Sequence, residues 1–132
     1  MIDSIIEEIR GLKILYIEDN TIVRVSMSEM LRDIFDTIDT ASNGEEGLEM
    51  YQRDTNYYDI IITDISMPKL NGDRMSQMIL DINPKQLIIA ITAHNETKKI
   101  KKLKDIGITE TINKPIVIEE LIEAIRGISS GE

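Results

Sequence analysis

Residues 58–72, YDIIITDISMPKLNG, decide how this chain folds. The isoleucines at positions 60–62 predict a buried strand over residues 59–63, and Asp64 follows where that strand ends. A carboxylate at the end of a buried strand is costly unless other groups compensate its charge. A loop that contains Pro68 and Gly72 comes next. Other parts of the chain must therefore supply the groups that compensate Asp64.

The composition predicts a globular domain. The chain has 132 residues, of which 42% are hydrophobic and 30% charged, enough for one core of its own. With no cysteine and one histidine, His94, it has neither a disulfide framework nor a multi-histidine zinc site. The net charge of −9 disfavours direct binding of nucleic acid. No apolar run approaches the roughly 20 residues of a membrane span, and no signal peptide is apparent, so a cytoplasmic location without membrane insertion is expected.

Segments typical of strands and of helices alternate along the chain. The predicted strands are residues 12–17, 37–41, 59–63, 87–91 and 108–112. The alternation predicts an α/β fold of the (βα)5 type, a doubly wound five-stranded parallel sheet with helices on both faces. Isoleucines at helical spacing within residues 2–9 predict an additional short N-terminal helix. The chain is thus expected to divide into an amphipathic extension, residues 1–11, and a domain, residues 12–132.

Apolar spacing also indicates which face of each helix packs inward. The helix after the first strand begins at Asn20 or Thr21, either of which can cap it. Its core-facing residues are expected to be Val23, Met27, Met30, Leu31 and Ile34. The N-terminal isoleucine stripe has three interpretations. It can fold back over the domain, form a seam between two copies, or be the tail of a linker from a preceding domain.

Chemically active side chains follow four of the five predicted strands. In an open parallel sheet, ligands bind beyond the carboxyl ends of the strands. Those positions hold Glu18 and Asp19, Asp64, Thr92 and Lys114. Three carboxylates at one edge repel each other by roughly 4 kcal/mol per pair at about 4 Å. Protonation of one acid relieves this repulsion, and so does a hard divalent cation such as Mg²⁺ or Mn²⁺.

A divalent cation and Lys114 on either side of Asp64 would form a site for phosphoryl transfer. Such sites act mainly by positioning the reactants and neutralising charge. A carboxylate can itself be the nucleophile and form an aspartyl-phosphate. Each residue alone has an ordinary explanation, as a helix cap, a turn hydroxyl or a surface lysine. Capping does not explain the whole set, because its members end different strands.

Four motifs resemble those of the receiver domains of two-component response regulators: ILYIEDN, IIITDISMPKLNG, IAITA and INKPI. The resemblance extends from Lys13 to about Ile128. It implies a flavodoxin-like sheet with strand order 2-1-3-4-5. It also implies that Asp64 is the phosphoacceptor and, with Glu18 and Asp19, part of a Mg²⁺ site to which Ser66 would offer its backbone carbonyl. Mn²⁺ is expected to substitute for Mg²⁺.

The same resemblance gives roles to the residues after the fourth and fifth strands. Thr92 is similar to the hydroxyl that turns toward the phosphoryl group, and Lys114 to the lysine that pairs with it. A cis peptide bond is implied between Lys114 and Pro115. Thr111 stands where many receivers have an aromatic residue that moves together with the hydroxyl. Phosphorylation is therefore expected to persist, while the output movement is expected to differ.

The implied function is a phosphorylation-dependent signalling switch rather than an enzyme with a separate substrate. A sensor histidine kinase or a phosphotransfer protein would donate the phosphoryl group. An output partner, or a second copy in a homodimer, would bind the face formed by the last two helices and the fifth strand. The first of these helices carries five lysines, Lys98, Lys99, Lys101, Lys102 and Lys104. They form either a solvated basic face that pairs locally with the acids of the last helix or a charge-complementary surface for a partner or a second copy.

Two other classes of protein would need different residues at particular positions of this chain. A haloacid dehalogenase-type hydrolase would have a second aspartate two residues after the nucleophile, where this chain has Ser66. A flavodoxin-like FMN carrier would bind phosphate after the first strand, where Glu18 and Asp19 would repel it. Two alternatives remain open. One is a degenerate receiver that binds partners without phosphorylation, and the other is the receiver portion of a hybrid histidine kinase.

Overall fold

The computed structural model describes residues 2–130, with the side chain of Ile2 outside the description. The strands are β1 Lys13–Ile17, β2 Thr37–Ala41, β3 Ile60–Asp64, β4 Leu87–Thr92 and β5 Glu110–Asn113. The α-helices are α1 Ile2–Ile9, α2 Thr21–Arg32, α3 Gly44–Arg53, α4 Gly72–Ile82, α5 Ile100–Ile106 and α6 Ile118–Ser129. A 3-10 helix, His94–Lys99, precedes α5.

The strands form one parallel sheet in the order β2-β1-β3-β4-β5. The predicted α/β fold, its strand order and its additional N-terminal helix are confirmed. Strand β3 lies at the centre and is buried along its whole length. Its alternate side chains fill the two cores, with Ile61 on the side of α3, α4 and α5, and Ile60 and Ile62 on the side of α2 and α6. Within residues 2–130, no helix is long and apolar enough to cross a membrane.

Three strands, β3, β4 and β5, end one residue later than the sequence predicts. Asp64 is the last residue of β3 and pairs with Ile91, and Thr92 is the last residue of β4 and pairs with Asn113. Pairing with a neighbouring strand thus continues through the polar residues at the carboxyl edge. The side chains of Asp64 and Thr92 are consequently fixed by the sheet itself rather than by a loop.

Helix α1 packs on its own domain. Ile9 is buried in the core shared by α2 and α6, and Ile5 and Ile6 are half-buried against that core. An ion pair joins Glu8 to Arg126 of α6 at 3.1 Å. The described part of the isoleucine stripe therefore folds back over the domain, the first of its three interpretations.

The inward face of α2 is narrower than predicted. Asn20 caps the helix by accepting the Val23 N–H at 3.0 Å, and Leu31 and Ile34 are buried. The prediction is wrong for Val23 and Met30, which are 41% and 44% exposed. Helical spacing gives the direction of a side chain but not whether a neighbouring element covers it. The first turns of α2 border an open groove rather than packing on the sheet.

The region after β4 contains two helical segments. A 3-10 helix ends at Lys99, and α5 continues from Ile100 to Ile106. Leu103 is buried, whereas Ile100 is half-buried. Gly107 ends α5 in the left-handed conformation, with φ of 114°.

Gly72 fixes the path of the chain after β3. A Cβ placed at Gly72 would lie 2.0 Å from the carbonyl oxygen of Asp64, which is closer than any real contact of that kind. The Gly72 N–H donates to the Ile65 carbonyl at 2.7 Å, so the start of α4 is held against the end of β3. The loop that follows the phosphoacceptor candidate therefore depends on a residue without a side chain.

Replacement of Gly72 by alanine is expected to lower the free energy of unfolding by about 3 kcal/mol, because backbone atoms must move to admit the Cβ. Gly127 is the matched control, since it lies inside α6 and a Cβ there meets nothing within 4 Å. Gly127→Ala should raise stability by about 1 kcal/mol through helix propensity. Urea unfolding of the two variants measures both effects, and equal changes would contradict the packing argument.

Candidate functional site

Three acidic side chains meet at the carboxyl edge of the sheet. Glu18 and Asp19 follow β1, and Asp64 ends the neighbouring strand β3. One carboxylate oxygen from each residue lies within 4.8 Å of the others. Glu18 and Asp64 are buried, whereas Asp19 is exposed. The structure thus brings together the three acids that the sequence places at strand ends.

The turn that carries Glu18 and Asp19 is held by the start of α2. The Asn20 N–H donates to Oε2 of Glu18 at 3.0 Å. Arg24, one turn into the helix, donates to the carbonyl oxygen of Glu18 at 2.8 Å. Sequence reasoning missed Arg24, although its position in the first turn after the acidic pair is the signal that could have indicated it. The helix start therefore sets the orientation of the acids.

Lys114 contacts Asp64 directly. Its Nζ lies 3.0 Å from Oδ2 of Asp64, and Oδ1 of the same carboxylate accepts the Ile65 N–H at 3.0 Å. Burial acts to lower the pKa of Lys114, but the hydrogen bond and the negative charge of Asp64 outweigh it and raise that pKa. Lys114 is therefore a stable cation. The Lys114–Pro115 peptide bond is cis, as predicted.

The hydroxyl of Thr92 is engaged with β5. It donates to Oδ1 of Asn113 at 3.0 Å, and the two residues are partners in the β4–β5 register. Asn113 is a second site residue that sequence reasoning missed. The signal was the parallel register, which sets the residue before Lys114 beside the hydroxyl. Thr111, at the position of the missing aromatic residue, is half-buried opposite Ala90.

A cleft of about 230 Å³ adjoins the acids on the β4 side. Its lining residues are Asp64, Ser66, Ala93, Asn95, Glu96, Lys99 and Lys114. Glu96 is buried, with Oε1 accepting the Ala93 N–H at 2.7 Å and Oε2 accepting the Ser66 hydroxyl. Burial alone would raise the pKa of Glu96, but these two hydrogen bonds and nearby lysines lower it. Sequence reasoning missed Glu96, because alanine at the cap position hides the spacing of a capping box.

The acidic cluster has the chemistry of a divalent cation site. Its ligand atoms are all carboxylate oxygens, which Mg²⁺ and Mn²⁺ prefer. Burial raises the pKa of Glu18 to about 7, the Asn20 N–H partly offsets this, and the charge of Asp64 adds to the rise. Without a cation the cluster therefore holds a proton more readily than an isolated glutamate. The backbone carbonyl of Ser66 as a further ligand stays a prediction.

The sequence profile of the response regulator receiver domain matches residues 14–126. The chain belongs to this family. It is 28% identical over 123 residues to the response regulator UvrY of Escherichia coli, covering 92% of this chain and 56% of that protein. It is 31% identical over 121 residues to the peroxide stress-activated histidine kinase mak3 of Schizosaccharomyces pombe, covering 87% of this chain and 5% of the kinase. The chain thus spans less than two thirds of the length of these relatives.

Solved structures agree with this assignment. A receiver domain protein from Clostridium thermocellum superposes with a TM-score of 0.86 at 30% identity, over 91% of this chain and 95% of that one. The chemotaxis protein CheY4 of Vibrio cholerae superposes with a TM-score of 0.81 at 25% identity, over 89% of this chain and 98% of that one. The predicted membership of the receiver family is confirmed.

The raised pKa of Glu18 makes the stability of the metal-free protein depend on pH. Between pH 4.5 and about 7 the folded protein retains a proton that the unfolded chain releases, so the free energy of unfolding falls as pH rises. At about 1.4 kcal/mol per pKa unit, the loss amounts to about 3 kcal/mol. Glu18→Gln removes this loss and is expected to be more stable than the parent protein at pH 8.

Urea unfolding in EDTA at pH 5, 6, 7 and 8 measures this difference. Glu123→Gln, a change at an exposed position of α6, is the matched control and should follow the parent protein. The explanation fails if Glu18→Gln loses stability with pH as steeply as the parent protein does.

Proposed function

We propose that the chain is a phosphorylation-dependent signalling switch that accepts a phosphoryl group on Asp64 and thereby changes its affinity for a partner. The observation that carries this proposal is the arrangement around Asp64. One of its carboxylate oxygens contacts Lys114 at 3.0 Å, and two further acids lie within 4.8 Å. Membership of the receiver family supports the same function.

In the transfer step, a carboxylate oxygen of Asp64 attacks the phosphorus of the donor. The new bond joins that oxygen to phosphorus, and the bond from phosphorus to the donor breaks. The electron pair of the broken bond stays with the leaving group. That group is the imidazole of the phosphohistidine in a histidine kinase or a phosphotransfer protein. Lys114 neutralises charge on the phosphoryl oxygens, because its ammonium group already lies beside Asp64.

Mg²⁺, or Mn²⁺ in its place, would be held by Glu18, Asp19, Asp64 and the backbone carbonyl of Ser66. The bound cation would offset the charge of the incoming phosphoryl group. Glu18 and Asp64 need this compensation most because both are buried. Asp19 is exposed and gives the site access to solvent. The Arg24 and Asn20 contacts keep the acidic turn in place while the charge at Asp64 changes.

After transfer, the Thr92 hydroxyl would leave Asn113 and donate to a phosphoryl oxygen. Thr111 has no aromatic ring to follow that movement. Asn113 holds the hydroxyl in its resting position, so its hydrogen bond opposes the turn. Hydrolysis at Asp64 releases the phosphate again, and the chain turns over no separate substrate. Its phosphoryl donors are cytoplasmic proteins.

The output face is formed by α5, β5 and α6. Its lysines are paired only in part, with Lys101 bound to Asp105 at 3.1 Å and Lys102 bound to Asp73 of α4 at 3.3 Å. Among the ion pairs of residues 2–130, none joins these lysines to the acids of α6. The lysines of this face are suited to an acidic output partner. They are also suited to the α6 acids of a second copy of the chain.

Incubation with Mg²⁺ and acetyl phosphate should give one hydroxylamine-labile phosphoryl group per chain. Asp64→Asn should abolish it, and Lys114→Ala should slow its formation by about a hundredfold, since a contact that neutralises transition-state charge contributes about 3 kcal/mol. Mass spectrometry before and after hydroxylamine treatment measures both effects. Absence of the group from the parent protein, with kinases as well as acetyl phosphate, would point to a degenerate receiver.

An exposed apolar groove beside α2 is a candidate binding surface for the phosphoryl donor. Ile22 and Val23 of α2 are 78% and 41% exposed, and they line a groove of about 600 Å³ together with Pro115 and Ile116. Glu18 and Lys114 line the same groove, so a donor helix seated on this apolar surface would lie next to the site. We therefore propose that the phosphoryl donor binds in this groove.

Ile22→Ser should slow transfer from a protein donor about tenfold, because it removes exposed apolar contact area, and should leave phosphorylation by acetyl phosphate unchanged. Val25→Ser is the matched control, since Val25 is 49% exposed on the same helix but does not line the groove. The donor is the kinase or phosphotransfer protein that is fastest with the parent chain in a purified panel. Equal rates for the two variants would contradict this placement.

A further inference from the structure

Glu96 occupies the wall of the cleft in which a phosphoryl group on Asp64 would lie. The cleft of about 230 Å³ is lined by both residues and by two cations, Lys99 and Lys114. The two carboxylates and the two ammonium groups balance in charge. Because an acyl phosphate carries nearly two negative charges, phosphorylation of Asp64 would disturb this balance within a partly enclosed space.

Glu96 also uses hydrogen-bond donors of that wall. Its Oε1 accepts the Ala93 N–H at 2.7 Å, and its Oε2 accepts the Ser66 hydroxyl. Ala93 and Ser66 both line the cleft, and they follow the strand ends at Thr92 and Asp64. In the resting protein a resident carboxylate thus binds two donors that border the phosphoacceptor.

The position of Glu96 in the chain connects it to the basic face. It is the third residue of the 3-10 helix His94–Lys99, which continues directly into α5. Its bond to the Ala93 N–H holds the first turn of that helix, since no side chain caps the helix at Ala93. A 3-10 helix has weaker hydrogen bonds than an α-helix, so it is readily rearranged when an anchor is removed.

We propose that Glu96 is a resident anion that competes with the phosphoryl group on Asp64 for the donors of this cleft, and that its displacement upon phosphorylation releases the 3-10 helix and transmits the signal to the lysines of α5. The proposal rests on the proposed function of Asp64. It assigns Glu96 as a positioning residue of the resting state, and it gives an output movement that needs no aromatic ring at Thr111. The Ser66 hydroxyl, from the loop after β3, is one of the two donors that hold Glu96 in place.

Beryllofluoride with Mg²⁺, as a stable analogue of the phosphoryl group, tests the competition. Glu96→Gln keeps a side chain of the same size and an acceptor oxygen but removes the charge, so it should bind beryllofluoride about tenfold more tightly than the parent protein. Asp105→Asn is the matched control, because it removes one negative charge from an exposed side chain of α5 that does not line the cleft. It should leave the affinity for beryllofluoride unchanged.

Amide hydrogen exchange tests the release of the 3-10 helix. In the parent protein, beryllofluoride should speed exchange of the amides in residues 97–99 about tenfold. In Glu96→Ala these amides should already exchange at the faster rate without the analogue. A side chain that only stabilised the fold would weaken beryllofluoride binding when replaced, so tighter binding separates the two roles.

The proposal is overturned if the parent protein binds beryllofluoride but Glu96→Gln binds it equally or less well, or if exchange in residues 97–99 does not respond to the analogue. If the parent protein does not bind beryllofluoride at all, the proposed function of Asp64 fails, and the role of Glu96 fails with it. The titration is followed by amide signals in nuclear magnetic resonance spectra, which also report whether each variant is folded.

Discussion

The contact between Lys114 and Asp64 is the interaction on which the site depends. The aspartate is buried at the end of the central strand and the lysine side chain is partly exposed, so the pair brings a cation to a carboxylate that solvent hardly reaches. Breaking a buried charge pair leaves one charge uncompensated, which costs more than the pair contributes when intact. The fold supports the contact from both sides, since β3 holds the aspartate and the β4–β5 pairing holds the residue before the lysine.

A parallel sheet makes this arrangement accessible to a short chain. Each strand ends at the same edge, so five loops can each add one or two side chains to a single site. The acids come from β1 and β3, the hydroxyl from β4 and the ammonium group from the loop after β5. Gly72 shows how tightly the loops are fitted, because its backbone passes where any Cβ would touch the Asp64 carbonyl oxygen.

Most of the fold and the positions of most site residues could be predicted from the sequence. The continuous apolar strands and their regular alternation with helices define the sheet, and its strand ends bring Glu18, Asp19, Asp64 and Lys114 together. Asn113 and Glu96 could not be predicted in the same way. Asn113 acts through strand register, which fixes side-chain neighbours only after the strands are paired, and Glu96 reaches back across a cap residue that carries no polar side chain. The exposed residues of α2 show the converse limit, because an apolar stripe has the same spacing whether it is covered or open.

The five lysines near α5 have a consequence beyond any single contact. They carry +5 of a net charge of −9, so the remaining residues carry −14. Because the sequence concentrates positive charge in this one segment, the field of a charged partner can turn the protein before the surfaces touch. An acidic partner would be met by the lysines, whereas a basic one would be drawn to the rest of the molecule. Orientation during approach, which salt weakens, thus distinguishes partners even before binding begins.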